Sequence, residues 1–248
     1  MSDAPHIEYR FVADLTELAQ VIDVQREVWG FADIEVIPAR LFLIAHKVGG
    51  QVIGAFDGAR LVGYCFSIPG IRKEDGATYL HSHMLAVLPP YRNLGVGRRL
   101  KLEQRADALA RGIGLIEWTF DPLELKNAFF NIERLGVIVR RYILNNYGVT
   151  TSRLHAGLPT DRCVAEWHLA HPRTEAILEG RPRVREPVAA RISVPADIGD
   201  IKARDPEGAI RIQAEVSRRF LEFLDRGLAV TGFERSEEAG TFLLSLWP

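Results

Sequence analysis

The stretch that decides the reading of this chain is His81-Ser82-His83-Met84-Leu85-Ala86-Val87-Leu88-Pro89-Pro90-Tyr91-Arg92-Asn93-Leu94-Gly95-Val96-Gly97-Arg98. The run from Thr78 to Leu88 has strand character and stops at Pro89-Pro90, because neither proline has an N–H to continue a ladder. Beyond the turn, Gly97 to Arg111 is rich in Leu, Ala, Arg, Glu and Lys, which predicts a long helix with Leu100, Ala106 and Leu109 inward and Gly112 as its stop. A strand, a glycine turn and a helix in that order make an anion cradle, since the first amides of a helix lack intrahelical partners and the helix dipole adds positive character there. Gly95 and Gly97 let the backbone close on a phosphate, Arg92, Arg98 or Arg99 can add charge, and the expected ligand is a diphosphate. A dinucleotide-binding turn would need a third glycine where Leu100 stands, and a P-loop would need Gly-Lys-Ser/Thr. Both of those nucleotide folds lose ground.

Working outward, Ile7 to Val12 alternates like a half-buried strand, and Asp14 offers an N-cap to a helix carrying Leu15, Leu18, Val21, Ile22 and Val28. Pro38 suits a first helical turn, before an apolar stripe of Leu41, Phe42, Ile44, Ala45 and Val48 that Gly49-Gly50 ends. Gln51 to Phe56 and Leu61 to Ile68 read as strands joined by the hairpin turn Asp57-Gly58-Ala59-Arg60. After the central helix come a strand at Leu115 to Phe120, a helix at Leu123 to Leu135 and a strand at Val137 to Leu144. This alternation predicts an α/β (α+β) fold: a mixed, mostly antiparallel central sheet flanked by helices.

Motif and element order together resemble the GNAT superfamily of N-acetyltransferases. Its signature, Arg or Gln followed by x-x-Gly-x-Gly or Ala after a strand ending in Val-x-Pro, is matched by Val87-Leu88-Pro89 and Arg92-Asn93-Leu94-Gly95-Val96-Gly97. The resemblance covers roughly residues 7 to 147; the Asp121-Pro122-Leu123 turn, Asn127-Ala128 and the Tyr147-Gly148 end also look like a branch of predicted acetyltransferases with a C-terminal extension. It implies acetyl-CoA, or another acyl-CoA, as co-substrate. The amides of Leu94 to Arg98, among them Gly95, Val96 and Gly97, would then hold the pyrophosphate, with Arg92 and Asn93 in the same turn. Backbone groups of Leu85, Ala86 and Val87 would pair with the pantetheine arm, and Asn127 matches a frequent polar residue near the cofactor.

Direct transfer to an amine needs a neutral nucleophile, a polarised thioester carbonyl and a proton for the departing thiolate. The family often places a carboxylate on the signature strand and a tyrosine on a later helix; here His81 and His83 stand on the strand, and Ile132 at the tyrosine's helix position. Strand alternation puts the two histidines on one face, where an imidazole with a pKa of about 6.5 can accept a proton. A packing role for either ring is the plain alternative. Tyr142 or Tyr147 are candidates for the missing acid, Asn131 and Glu117 for contacting the acceptor, and each has an ordinary structural reading beside the functional one.

Composition bounds the rest. The chain has 248 residues, 47% hydrophobic and 25% charged, with 31 Lys+Arg against 32 Asp+Glu, which excludes a disordered chain and a global basic field for nucleic acid. Cys65 and Cys163 lie in separate apolar runs, so neither a disulfide framework nor a metal site is expected. No apolar run reaches membrane-spanning length, and Met1 to His6 lacks leader character, so a cytoplasmic protein without a membrane partner is expected. We expect a core at 1–148 and an extension at 149–248. In the extension, Pro172 to Pro206 reads as a long connection carrying short strands. Asp161 to Leu169 and Arg191 to Val194 are its strand candidates, ahead of a helix from about Pro206 to Asp225 and strands at Leu228 to Phe233 and Thr241 to Leu246. On that helix Ile210, Val216, Phe220, Phe223 and Leu224 are expected to form the apolar face. The extension could cover a small-molecule or protein-borne amine acceptor, or serve a homodimer. Arg181-Pro182-Arg183-Val184-Arg185 is locally basic, read as a solvated loop or an anion contact. The main reading is an acyl-CoA-dependent N-acyltransferase; its rival is a catalytically silent acyl-CoA-binding sensor or scaffold.

Overall fold

A computed structural model describes residues 6–12, 14–148, 158–183 and 185–247. Met1 to Pro5, on which the leader reading falls, lie outside the described residues, as does the 149–157 junction where the extension was expected to begin. The chain forms two compact units, dividing inside a strand between Ile116 and Glu117.

The first unit holds β1 (Ile7–Phe11), α1 (Leu15–Trp29), α2 (Ala39–Lys47), β2 (Gln51–Asp57), β3 (Arg60–Ile71), β4 (Thr78–Val87) and α3 (Val96–Ala110). Its strands pair antiparallel in sequence order. Asp14 caps α1 as its sequence predicts: the carboxylate accepts from Thr16 N at 2.6 Å and Glu17 N at 3.4 Å. One face of the sheet presents Tyr64, Phe66, Met84 and Ala86 to Leu18, Val21, Val24 and Phe42. The other presents Ile53, Ala55 and Cys65 to Val96 and Leu100 of α3. Each large side chain so buried contributes roughly 1.5–3 kcal/mol relative to exposure, so both faces of β3 and β4 are fixed by packing.

The second unit continues with β5 (Leu115–Phe120), α4 (Leu125–Phe129), β6 (Ile138–Ile143), β7 (Arg162–His168), α5 (Pro172–Leu178), β8 (Ala190–Pro195), α6 (Ile198–Arg204), α7 (Pro206–Asp225), β9 (Leu228–Arg235) and β10 (Ala239–Leu246). Strand order runs β5-β7-β6-β9-β10-β8, and the β6-β7, β6-β9, β9-β10 and β10-β8 pairs are antiparallel. Among the described residues no helix is long and apolar enough to cross a membrane.

Four expectations need correction. Ala106, expected inward on α3, is exposed, and Lys101 and Gln104 take inward places instead. The span from Pro172 to Pro206 carries two helices besides β8. Pro172 opens α5 at a position that needs no N–H, and His171 Nδ1 accepts from Arg173 N at 3.2 Å, so a proline read as a break is a helix start. Asp205 closes α6 and begins α7, its carboxylate accepting from Gly208 N at 2.9 Å. The helix expected over Leu123 to Leu135 is shorter in α form: after Phe129 the chain widens into a π-helical turn, Phe130–Arg134, closed by left-handed Gly136 (φ 84°). Finally, α7 turns Ala209, Gln213, Val216, Ser217 and Phe220 inward while Ile210 is exposed; Gln213 Nε2 donates to Pro159 O at 2.7 Å and Ser217 Oγ to buried Asp161 at 2.6 Å.

Candidate functional site

The strand, turn and helix of the first unit lie as the glycine pattern requires. Asn93 (φ 63°) and Gly95 (φ 82°) are both left-handed, a conformation in which a β-carbon is disfavoured and glycine is at ease. Gly95 is the N-cap of the 15-residue α3 and supplies no side chain, so no side chain caps the helix start. A turn with two left-handed residues running into an uncapped helix gathers backbone N–H groups and helix-dipole charge at one place. The turn is held from beneath by Tyr91, whose hydroxyl donates to Asp57 at 2.6 Å, and by Arg92 Nε, which donates to Val87 O at 3.0 Å. Arg92 therefore locks the strand end. A β-carbon at Gly97 would stand 3.7 Å from Val87 and 3.9 Å from Leu85, ordinary contact distances, so the packing of α3 on the strand does not itself demand glycine there.

Within β4 the pairing register to β3 slips: Ser67 faces Ser82 but Phe66 faces Met84, which leaves His83 as an extra residue in a β-bulge. Cross-strand partners share a face, so His81, Met84 and Ala86 lie with Phe66, while Ser82, Leu85 and Val87 lie with Cys65 on the α3 side. His83 meets Phe66 edge-on at 6.0 Å and stands 6.0 Å, ring to ring, from His81. Both imidazoles are held neutral at pH 7. Desolvation brings His81 down to about 4, helped by His83 and Lys101, and lowers His83 as well, although its side chain keeps an exposed edge. Of the two, His83 keeps more access to solvent.

Behind this strand runs a buried polar chain that sequence reasoning missed. Lys101 Nζ donates to Ser82 Oγ at 3.1 Å and Gln104 Oε1 at 2.6 Å; Gln51 donates to Gln104 O at 3.0 Å and Asp107 at 2.7 Å, and accepts from Ser67 Oγ at 2.8 Å. Lys101 is 2% exposed, and burial pushes its ammonium down to about 7. The available signal was its spacing: with Val96, Leu100, Gln104 and Ala108 it completes the inward stripe of α3.

The other candidates belong to the second unit. Glu117 is buried and its carboxylate accepts from Arg141 Nη2 at 2.5 Å. A bulge in β6 leaves Arg140 as an extra residue beside Arg141, and both guanidiniums reach Glu166 on β7. Asn127, exposed at α4, accepts from Asn131 Nδ2 at 3.4 Å, and Asn131 is itself buried. Tyr142 stacks on Phe220 at 4.8 Å and is buried; Ser217 Oγ donates to Asp161 at 2.6 Å, so the tyrosine hydroxyl is the donor in its 2.9 Å contact with Ser217. Desolvation pushes that phenol well above its usual range. Tyr147 pairs instead with Thr119 Oγ1 at 2.7 Å.

Residues 14–136 match the model of the acetyltransferase (GNAT) family. A structure from Desulfovibrio desulfuricans assigned to the GNAT family is similar to this chain at 17% identity and a TM-score of 0.53, covering 66% of this chain and all of that one. The yncA protein of Salmonella typhimurium, solved with its cofactor acetyl-CoA, is 15% identical with a TM-score of 0.53, covering 68% of this chain and 98% of that one. The GNAT acetyltransferase of Streptococcus pneumoniae is 13% identical with a TM-score of 0.51, over 65% of this chain and 98% of that one. These likenesses establish the mixed, mostly antiparallel fold. No curated protein matches the chain.

Proposed function

The chain belongs to the GNAT acetyltransferase family through its residues 14–136, and from that premise we propose that it transfers an acetyl group from acetyl-CoA to an amine. The observation that carries the reading is the glycine turn: left-handed Asn93 and Gly95 leading into an uncapped 15-residue helix, with Arg92 and Tyr91 bracing it. The turn fits a pyrophosphate, because a β-carbon at Gly95 would point into open space, leaving room at the amides of Leu94 to Arg98. When bound, acetyl-CoA supplies the acetyl group as a thioester. Backbone groups of Leu85 to Val87 would hold its pantetheine arm, and Asn127 would lie near it, by the family resemblance.

In the chemical step the amine nitrogen bonds to the acetyl carbon, the carbon–sulfur bond breaks, the amine gives up a proton and the thiolate takes one. His83 is the residue we assign to the amine's proton, directly or through water, because it is neutral at pH 7 and open to solvent. His81, pushed to about 4, is assigned to positioning His83. Glu117 and Asn131 remain proposed acceptor contacts, although Arg141 and Asn127 hold them in the free protein. Tyr142 is left out of proton transfer, since its hydroxyl is engaged with Ser217 inside the second unit. The same observation favours a second reading, a silent acetyl-CoA sensor with no committed acid.

Calorimetry with acetyl-CoA on wild type and Gly95→Pro, followed by thiol-release assays on an amine panel, tests these readings. Proline locks φ near −65°, so it cannot hold the left-handed turn. The expected result is saturable binding by wild type, at least a hundredfold weaker in a folded Gly95→Pro, with turnover on at least one amine that falls tenfold or more in His83→Ala. Undiminished binding in Gly95→Pro removes the turn from the reading, and tight binding with no turnover favours the sensor.

A further inference from the structure

We infer that Arg173, Arg183 and Arg185 of the second unit form a binding site for a phosphate-type dianion. Arg173 stands in the first turn of α5, and the other two follow that helix in the basic segment before β8. Their carboxylate partners are too few. Glu133, in the π-helical turn, accepts from Arg183 Nη2 at 2.6 Å and lies 3.8 Å from Arg185, while its second oxygen is taken by the Phe233 amide at 2.8 Å. Glu234 lies 3.9 Å from Arg185 but is already paired with Arg191 at 2.7 Å. Four guanidiniums thus meet two carboxylates, an excess of two positive charges.

The donors are unsatisfied as well. Arg173 Nε and Arg183 Nη1 are buried and have no hydrogen-bond partner among the described residues. Buried guanidinium N–H groups left without acceptors are costly, and such a cluster persists where an acceptor is supplied. Burial together with the charges of Arg183 and Arg185 brings even Arg173 down to about 10. The Arg183 side chain is 10% exposed and that of Arg185 56%, so one forms a floor and the other a rim open to solvent.

The ligand class follows from charge and shape. A monocarboxylate would leave one positive charge over, whereas a dianionic phosphate balances the excess and offers tetrahedral oxygens to several guanidinium forks. That chemistry is shared by inorganic phosphate and by the terminal phosphomonoester of a larger molecule.

Thermal unfolding and calorimetry of the full chain test it, with inorganic phosphate, adenosine 3′-phosphate and sodium chloride at matched ionic strength. Phosphate should raise Tm saturably beyond chloride, with binding at least tenfold weaker in Arg185→Gln and Arg183→Gln. Arg185 is on the surface, so its variant decides the matter should Arg183→Gln fail to fold. Gly95→Pro should keep the full phosphate response, which separates this site from the glycine turn. Tighter binding of the nucleotide than of phosphate assigns a phosphomonoester, and equal or weaker binding assigns free phosphate; both support the site. The inference is overturned if neither ligand exceeds chloride, or if Arg185→Gln binds like wild type.

Discussion

Replacing Lys101 by methionine tests the buried polar chain through its pH dependence. In the folded protein the ammonium titrates at about 7, and burial is the cause, only partly opposed by Cys65. In the unfolded chain a lysine titrates near 10.4. Between those values the unfolded state binds the extra proton, so folding stability is lost as pH falls through this window and gained as pH rises through it. Integrating the proton difference gives a gain of roughly 2 kcal/mol between about pH 7 and about pH 9, and roughly 4–5 kcal/mol across the whole window. The substituted thioether side chain has no proton to exchange. Urea unfolding of wild type and Lys101→Met, followed by tryptophan fluorescence at several pH values, should therefore give a stability difference that moves toward wild type by about 2 kcal/mol from about pH 7 to about pH 9. Other titrating groups cancel in the comparison. The lost hydrogen bonds to Ser82 and Gln104 shift the whole difference without tilting it. Curves that run parallel within about 0.5 kcal/mol would mean that Lys101 keeps an ordinary pKa and that the reasoning from burial fails.

Two further outcomes follow from the second unit. Tyr142→Phe removes the donor to Ser217 but keeps the stack on Phe220, so urea unfolding should show a loss of about 1 kcal/mol, with acetyl transfer unchanged if the hydroxyl takes no part in chemistry. Burial would raise the Glu166 carboxyl, but His168, Arg140 and Arg141 outweigh it and hold it at about 2. Its ionised form therefore stabilises the fold above the usual glutamate range, and that stability goes as pH falls toward about 2. Glu166→Gln should cost about 2 kcal/mol near neutral pH, less than a fully buried pair because both guanidiniums are half exposed, and the deficit should shrink in acid.

The parts of the fold legible in the sequence were those governed by local chemistry. Asp14 as a cap, Asp57 to Arg60 as a hairpin turn and Pro89-Pro90 as a strand stop each act within a few residues. The glycine turn was legible because left-handed backbone and an uncapped helix leave a residue-type signature. The helices α5 and α6 escaped because proline and charged residues mark helix starts as well as loops: α5 is told from a loop only by the cap at His171, and α6 starts at Asp197 with no side-chain cap to mark it. The buried polar chain escaped because one lysine in a charged helix reads as solvated until Ser82 and Gln104 are brought to it from a strand and from the next helical turn. The arginine cluster was visible only as Arg181 to Arg185. Its other members, Arg173 and Glu133, lie up to 50 residues from Arg183 along the chain, beyond any local pattern.

The slipped register of β4 acts like a single insertion in a reading frame. Before it, an odd-numbered residue, His81, points to the Phe66 side; after it, even-numbered Met84 and Ala86 do. Two neighbours in sequence, His83 and Met84, thereby share the Phe66 side, whereas a side chain grafted at Ser82 emerges against Lys101. Any transplant of an acid or base onto this strand must be matched to this frame rather than to residue count, and deleting His83 would remove the bulge and restore strict alternation, with Ser82 and Met84 keeping the sides they now face.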